Sequence, residues 1–350
     1  MKVYHSDLHA LHAPAFEIFD GGEKIPSFET PERVECILQA LRADGRFEIL
    51  PPEQWSLDPI RAVHDEGYLT FLETAFTDWM REPTDYEKTA LLPSTFALSR
   101  RAGRVPASIL GRAGYYMMDL SAPIVAGTWQ AALASAHCAL SAARLISSLR
   151  SAVQTSVSAF ALCRPPGHHA GRAFCGGYCY INNAAVAAHW LTQFGNVALL
   201  DVDYHAANGT QDIFYERADV LTLSIHADPA EEYPYYWGYA DETGAGEGKG
   251  YHQNFPLPFG VDDTTYLKTL ERALERIATY RPAFLVLSAG MDIYGQDPLG
   301  RIRVTTAGIA EIGRQIAALA LPTVVVLEGG YHNAALGTNL LAFLEAFHAA

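Results

Sequence analysis

Residues 197–211 read VALLDVDYHAANGTQ. The first half, VALLDVD, is apolar without period-two alternation, as in a strand buried on both faces of a parallel sheet. The second half crowds Asp201, Asp203, His205 and Asn208 into the turn that follows. Similar apolar runs stand at SAFALC (158–163), VLTLSIH (220–226), FLVLSAG (284–290) and PTVVVLEGG (322–330). Helical spacing fills several of the gaps, at 182–194, 266–280 and 305–320. Strands that alternate with helices define an α/β fold built on a mostly parallel sheet.

The N-terminal half is richer in helix, with helical spacing over 29–45, 65–80 and 127–149, and MKVYHS adds one strand. Residues 81–126 carry Pro83, Pro93, Pro106 and Pro123 and show no periodicity. A structureless stretch of that length inside a compact domain is functional or disordered. No repeat, low-complexity tract or Gly/Ser linker divides the chain, so residues 1–350 are expected to form a single domain.

Each apolar run gives way to polar side chains. His168 and His169 follow the first, and Asp201, Asp203, His205 and Asn208 follow the second. Ser224 and His226 end the third, Asp292 follows the fourth and Tyr331 the fifth. Ligands of open parallel sheets bind beyond the carboxyl ends of the strands, so these residues are expected to meet in one crevice. Asp203 and His205 are two apart and point to the same side of an extended segment. With Asp292 they make a three-ligand set suited to catalytic zinc, and Fe(II) or Mn(II) would accept the same donors. A water acidified by such a metal needs a general base, a role open to His168 or His169. Asp201 and Asn208 are candidates to fix the tautomers of the imidazoles, and Tyr331 could donate to a developing oxyanion.

The bulk composition narrows the partners. At 49% hydrophobic and 18% charged, the chain has material for a large core. A net charge of −14 argues against a nucleic-acid footprint and favours a cationic small molecule or basic peptide. Five cysteines without a Cys-x-x-Cys exclude a disulfide framework and a zinc knuckle. The N-terminus lacks a signal-peptide core, and no apolar run is long enough for a membrane span, so a cytoplasmic protein is expected.

RPPGHHA, DVDYHAANGTQ, GMDIYGQDP and EGGYHN closely resemble motifs of the zinc-dependent histone deacetylase and acetylpolyamine amidohydrolase superfamily. The segments FDGGEKIPSFETPERVECIL and VHDEGYLTFLETAF resemble its bacterial acetylpolyamine branch, so the likeness runs through nearly the whole chain. The resemblance implies an arginase/deacetylase-like fold with helices on both faces of the sheet. It implies zinc on Asp203, His205 and Asp292, a catalytic pair His168–His169, and Tyr331 as the carbonyl-polarising residue. It also implies a structural potassium ion near Asp201, Asp203, His205 and Ser224, and aromatic tunnel walls at Tyr178 and Tyr233.

One departure stands out. The family usually reads Asp-x-Asp-x-His-His-Gly, whereas Ala206 and Ala207 follow His205 here. Loss of the Gly disfavours a positive φ at 207, which puts the geometry around Asn208 and His169 at risk and raises the alternative of a weakly active or non-catalytic member. The Ala at 206 argues against a two-manganese ureohydrolase. For substrate, the resemblance favours a small cationic acetylated amine, with acetyl-lysine in proteins as the alternative. Acidic residues flank the expected mouth loops: Glu17, Asp20 and Glu23, then Asp228, Glu231, Glu232, Asp241 and Glu242. Glu17 is the first choice for an ammonium contact and Asp119 the second. Segment 81–126 is expected to shape the mouth or a subunit contact, and a homodimer is the expected assembly.

Overall fold

The computed structural model describes residues 1–85, 87–98, 103–149 and 157–349. Among the described residues ten strands form in chain order: β1 Lys2–Tyr4, β2 Glu17–Phe19, β3 Glu23–Ile25, β4 Glu48–Leu50, β5 Ser158–Ala161, β6 Val197–Asp201, β7 Val220–Ala227, β8 His252–Leu257, β9 Phe284–Ala289 and β10 Thr323–Leu327. Eight of them make one sheet in the order β4-β1-β5-β10-β9-β6-β7-β8, and β2-β3 is a separate hairpin. Every pairing in the large sheet is parallel. All its carboxyl ends therefore lie along one edge.

The described residues also form ten α-helices: α1 Glu32–Asp44, α2 Asp58–Arg61, α3 Glu66–Arg81, α4 Ile109–Tyr116, α5 Thr128–Leu149, α6 Asn183–Leu191, α7 Asn208–Phe214, α8 Asp263–Tyr280, α9 Thr306–Ala317 and α10 Asn333–Ala349. Alternate strand residues feed two separate cores. Leu199, Val286 and Val324 face the layer that includes α3, α5 and α6. Leu200, Leu287 and Val325 face α1, α8, α9 and α10. This explains the unbroken apolar runs, because each buried aliphatic side chain on either face contributes about 1.5–3 kcal/mol. Side-chain caps set several helix starts: Asp65 Oδ1 accepts from Gly67 N at 2.8 Å and Asn182 Oδ1 from Ala185 N at 2.9 Å.

Two helical segments depart from the sequence expectation. Helix α5 is long and apolar enough to cross a bilayer, yet 67% of its apolar window is buried against the rest of the fold. It is a core helix. Residues 81–126 are not structureless either, since they contain α4 and a Leu91–Ile124 bridge.

Candidate active site

The carboxyl edge gathers the polar residues through local turns. Asp201 closes β6 opposite Ser224 of β7 and Ser288 of β9. Its Oδ1 accepts from Asp203 N at 2.9 Å, and Asp203 Oδ1 accepts from His205 N at 2.9 Å. The chain thus leaves the strand in two consecutive side-chain-capped turns that turn Asp203 and His205 inward. Asp292, just beyond β9, accepts from Tyr204 N at 3.0 Å through Oδ1.

Asp203, His205 and Asp292 bring one ligand atom each within 4.8 Å of one another. Asp292 Oδ2 is buried and makes no hydrogen bond, with His205 Nδ1 3.4 Å away, an expensive state for a carboxylate oxygen. Burial and the charge of Asp203 push the Asp292 pKa up to about 7. A Cβ at Gly329 would lie 2.2 Å from Asp292 Oδ2 and 2.6 Å from Asp203 Oδ2, so only glycine leaves room for both carboxylates. The donor set and the unsatisfied oxygen fit a divalent metal.

His168 and His169 sit side by side, with ring centroids 4.0 Å apart. His168 Nδ1 donates to Asp201 Oδ2 at 3.1 Å, and His169 Nδ1 donates to Asn208 Oδ1 at 2.6 Å. Neither Nδ1 is left for chemistry, and His168 Nε2 lies 3.6 Å from Asp203 Oδ1. Burial lowers the His168 pKa, but Asp203 and Asp201 outweigh it and raise it to about 10. Burial and the neighbouring imidazoles His168 and His205 hold His169 well below the ordinary value. The two imidazoles therefore stand in electrostatically different settings.

Tyr331 follows Gly330, whose φ of 121° turns the chain toward the site. Three residues that hold this turn escaped the sequence reading. Asp297 Oδ2 accepts from Tyr331 N at 2.6 Å and His332 N at 3.1 Å. Arg33, fully buried, donates to Gly330 O at 2.7 Å and Glu328 O at 2.6 Å and lies over the Tyr331 ring at 4.8 Å. Glu328 Oε2 accepts from Gly167 N at 2.7 Å and His168 N at 3.1 Å, tying the β10 turn to the histidine pair. The only sequence signal for Arg33 was a basic residue on an otherwise buried helix stripe.

A cavity of about 380 Å³ opens above these groups, lined by His169, His205, Tyr331, Tyr178 and Tyr233 among others. Tyr233 packs edge-on to His169 at 5.0 Å, and Tyr178 lies 5.5 Å from Tyr331. Tyr178 adopts φ 66°, an unusual left-handed conformation for a tyrosine. Asp119 lines the cavity, but Tyr233 Oη (2.6 Å), Gly177 N (2.8 Å) and Ser121 N (2.8 Å) already donate to it. Glu17 departs from expectation. It is 1% exposed and accepts from Tyr178 Oη at 2.9 Å, behind the wall and outside the cavity lining. Of the other flanking acids only Glu232 lines the cavity, and the side chain of Asp20 lies outside the described residues. Ser224 Oγ meets His226 Nδ1 at 2.7 Å beside the β6 turn.

The Ala206–Ala207 departure leaves the site geometry intact. Ala207 has φ −75°, so the backbone there asks for no glycine, and Asn208 still reaches His169. A Cβ added at Gly238 would lie 2.7 Å from Ala206 Cβ, which shows that the 237–239 loop occupies the space a larger residue at 206 would need.

The histone deacetylase domain model matches residues 27–347. The chain belongs to the histone deacetylase family. It is 44% identical over 350 residues to acetylpolyamine amidohydrolase 2 of Pseudomonas aeruginosa, covering 99% of this chain and 98% of that protein. It is 43% identical to the acetylpolyamine amidohydrolase of Mycoplana ramosa, with 99% of each chain covered. The crystal structure of acetylpolyamine aminohydrolase from Burkholderia pseudomallei superposes with a TM-score of 0.93 at 40% identity, covering 100% of this chain and 99% of that one. As a histone deacetylase family member the chain is a deacetylase, and metal-dependent hydrolysis of an amide is the chemistry its donor set and paired imidazoles suit.

Proposed function

We propose that this deacetylase removes acetyl groups from acetylated polyamines or similar small cationic amides. The observation that carries the reading is the convergence of a three-ligand cluster, two differently poised histidines and Tyr331 at the floor of a narrow aromatic cavity. Asp203, His205 and Asp292 would hold zinc, or Fe(II) in the cell. The metal would polarise the acetyl carbonyl and acidify a water. His169, whose Nε2 is free, takes the proton of the attacking water, and His168 delivers one to the departing amine. Tyr331 Oη donates to the carbonyl oxygen as negative charge develops there. Water and amide become acetate and a free amine. Tyr178 and Tyr233 sandwich the methylene chain, at about 0.8 kcal/mol per CH₂ removed from water.

Asp201, Asp203, His205 and Ser224 would surround a structural potassium ion. The names of the full-length relatives support the acetylpolyamine substrate over acetyl-lysine in proteins. Segment 81–126 narrows the mouth, supplying Phe96, Met118, Asp119, Leu120 and Ser121 to the cavity. Its exposed Phe96, Leu98, Val105 and Leu110 support a homodimer.

The test is steady-state turnover of the zinc-loaded protein on N-acetylputrescine, acetylspermidine and an acetyl-lysine peptide, alongside Tyr331→Phe. The small amines should win by orders of magnitude, and Tyr331→Phe should lose about 10²–10³-fold in kcat. A winning peptide would overturn the substrate reading.

A further inference from the structure

We propose that Glu232 is the specificity residue that receives the distal ammonium of the substrate at the cavity mouth. The inference rests on the acetylpolyamine reading and names the residue that makes the site select a cation.

Glu232 lines the same cavity as Tyr178, Tyr233, His169 and His205. Its carboxylate is fixed in place rather than free to swing. Tyr204 Oη, on a fully buried side chain, donates to Oε2 at 2.7 Å, and Tyr233 N donates to Oε1 at 3.0 Å. These two donors leave lone pairs on both oxygens, because a carboxylate offers about four acceptor sites. Among the described residues no Lys, Arg or His forms an ion pair with it. Among the described residues no lysine or arginine lines the cavity either.

The other acids near the mouth are already committed. Asp119 accepts from three donors, and Glu17 serves Tyr178 from behind the wall. Glu242 Oε2 closes its own turn by accepting from Gly238 N and Tyr239 N. Of the two described carboxylates that line the cavity, Glu232 has the fewer donors, two against three for Asp119, and the more acceptor sites left for a cation.

Aromatic surface completes the subsite. Phe19, Phe96 and Tyr235 line the cavity and are 36%, 40% and 45% exposed. Ring faces beside a carboxylate suit an alkylammonium, which gains from both its charge and its methylenes. Tyr204 stands between the proposed metal ligands Asp203 and His205, so its hydroxyl sets the carboxylate relative to the reacting carbonyl and favours amides whose cation lies at a fixed remove.

The experiment compares N-acetylputrescine with N-pentylacetamide, which replaces the ammonium by a methyl group, in the wild-type holoenzyme and in Glu232→Gln. The wild type should prefer the cationic amide. Glu232→Gln should lower the ratio of the two kcat/KM values by about ten- to a hundredfold, the span of a hydrogen bond to a charged group, with the change carried by KM for the cation. Glu232→Lys should turn the preference toward N-acetyl-5-aminopentanoate, which ends in a carboxylate. If the wild type prefers the cation and Glu232→Gln keeps the ratio within threefold, Glu232 is not the selector although the polyamine reading survives. If the wild type shows no preference, both fail together.

Discussion

Replacing Gly329 by alanine isolates one steric requirement of the site. Gly329 lies outside the left-handed region, so its backbone admits an L residue without conformational penalty. What forbids a side chain is space. The new Cβ would stand 2.2 Å from Asp292 Oδ2 and 2.6 Å from Asp203 Oδ2, against about 3.5–4.0 Å for an unstrained heavy-atom contact. One or both carboxylates, or the Gly329–Tyr331 turn, must give by more than about 1 Å, and a misplacement of that size costs about 10²-fold in rate. Asp203 Oδ2 also accepts from Gly329 N at 2.8 Å, so retreat of the turn breaks that bond. We expect Gly329→Ala to weaken metal retention and to lower kcat/KM by about 10²-fold. The assay is metal content after equilibration against a zinc buffer series, paired with turnover. Full metal occupancy at wild-type zinc levels, with kcat/KM within threefold of wild type, would refute the claim that this glycine makes room for the ligands.

Three further outcomes follow from the same geometry. Arg33→Met removes the donors to Gly330 and Glu328 and one of two guanidinium partners of Glu29, so unfolding in urea should show a loss of about 3–5 kcal/mol; a change below about 1 kcal/mol would place Arg33 in the class of weak surface pairs. Burial raises the Glu17 pKa from its ordinary 4.5 to about 7, so its contribution favours the native state below the lower value and is lost as pH rises through the upper one. Glu17→Gln should therefore raise Tm at about pH 8 and do so far less at about pH 5; an equal shift at both would contradict the linkage. Ala207→Gly should cost about 0.5–1 kcal/mol in stability and bring no gain in kcat/KM, since φ at 207 is already negative; a marked rise in activity would show that the missing family glycine matters after all.

The central strands were legible because both their faces are buried, which writes an unbroken apolar run into β5, β6, β7, β9 and β10. The edge strands were not. β4 and β8 end the sheet, and β8 reads HQNFPL, with polar residues and a proline that a central strand would not tolerate. Helix α4 was hidden by Gly111 and Gly114, the latter required because a Cβ there would sit 2.1 Å from Thr95 O. Residues grouped by strand ends could be named from the chain alone. Glu17 could not be placed, since only folding shows that its partner is a tyrosine 161 residues away. Arg33 was missed for the same reason, its carbonyl partners lying 297 and 295 residues downstream.

The position of β10 in the sheet has a bearing on how the protein is made. It is the last strand in the chain, yet it sits in the interior, between β5 and β9. Until it arrives, β4-β1-β5 and β9-β6-β7-β8 are two separate half-sheets, each with an open parallel edge. A nascent chain must therefore keep two unjoined edges from pairing elsewhere until residues 323–327 leave the ribosome. The strand that welds the halves together delivers Tyr331 four residues later, so assembly of the sheet and arming of the site are one late event.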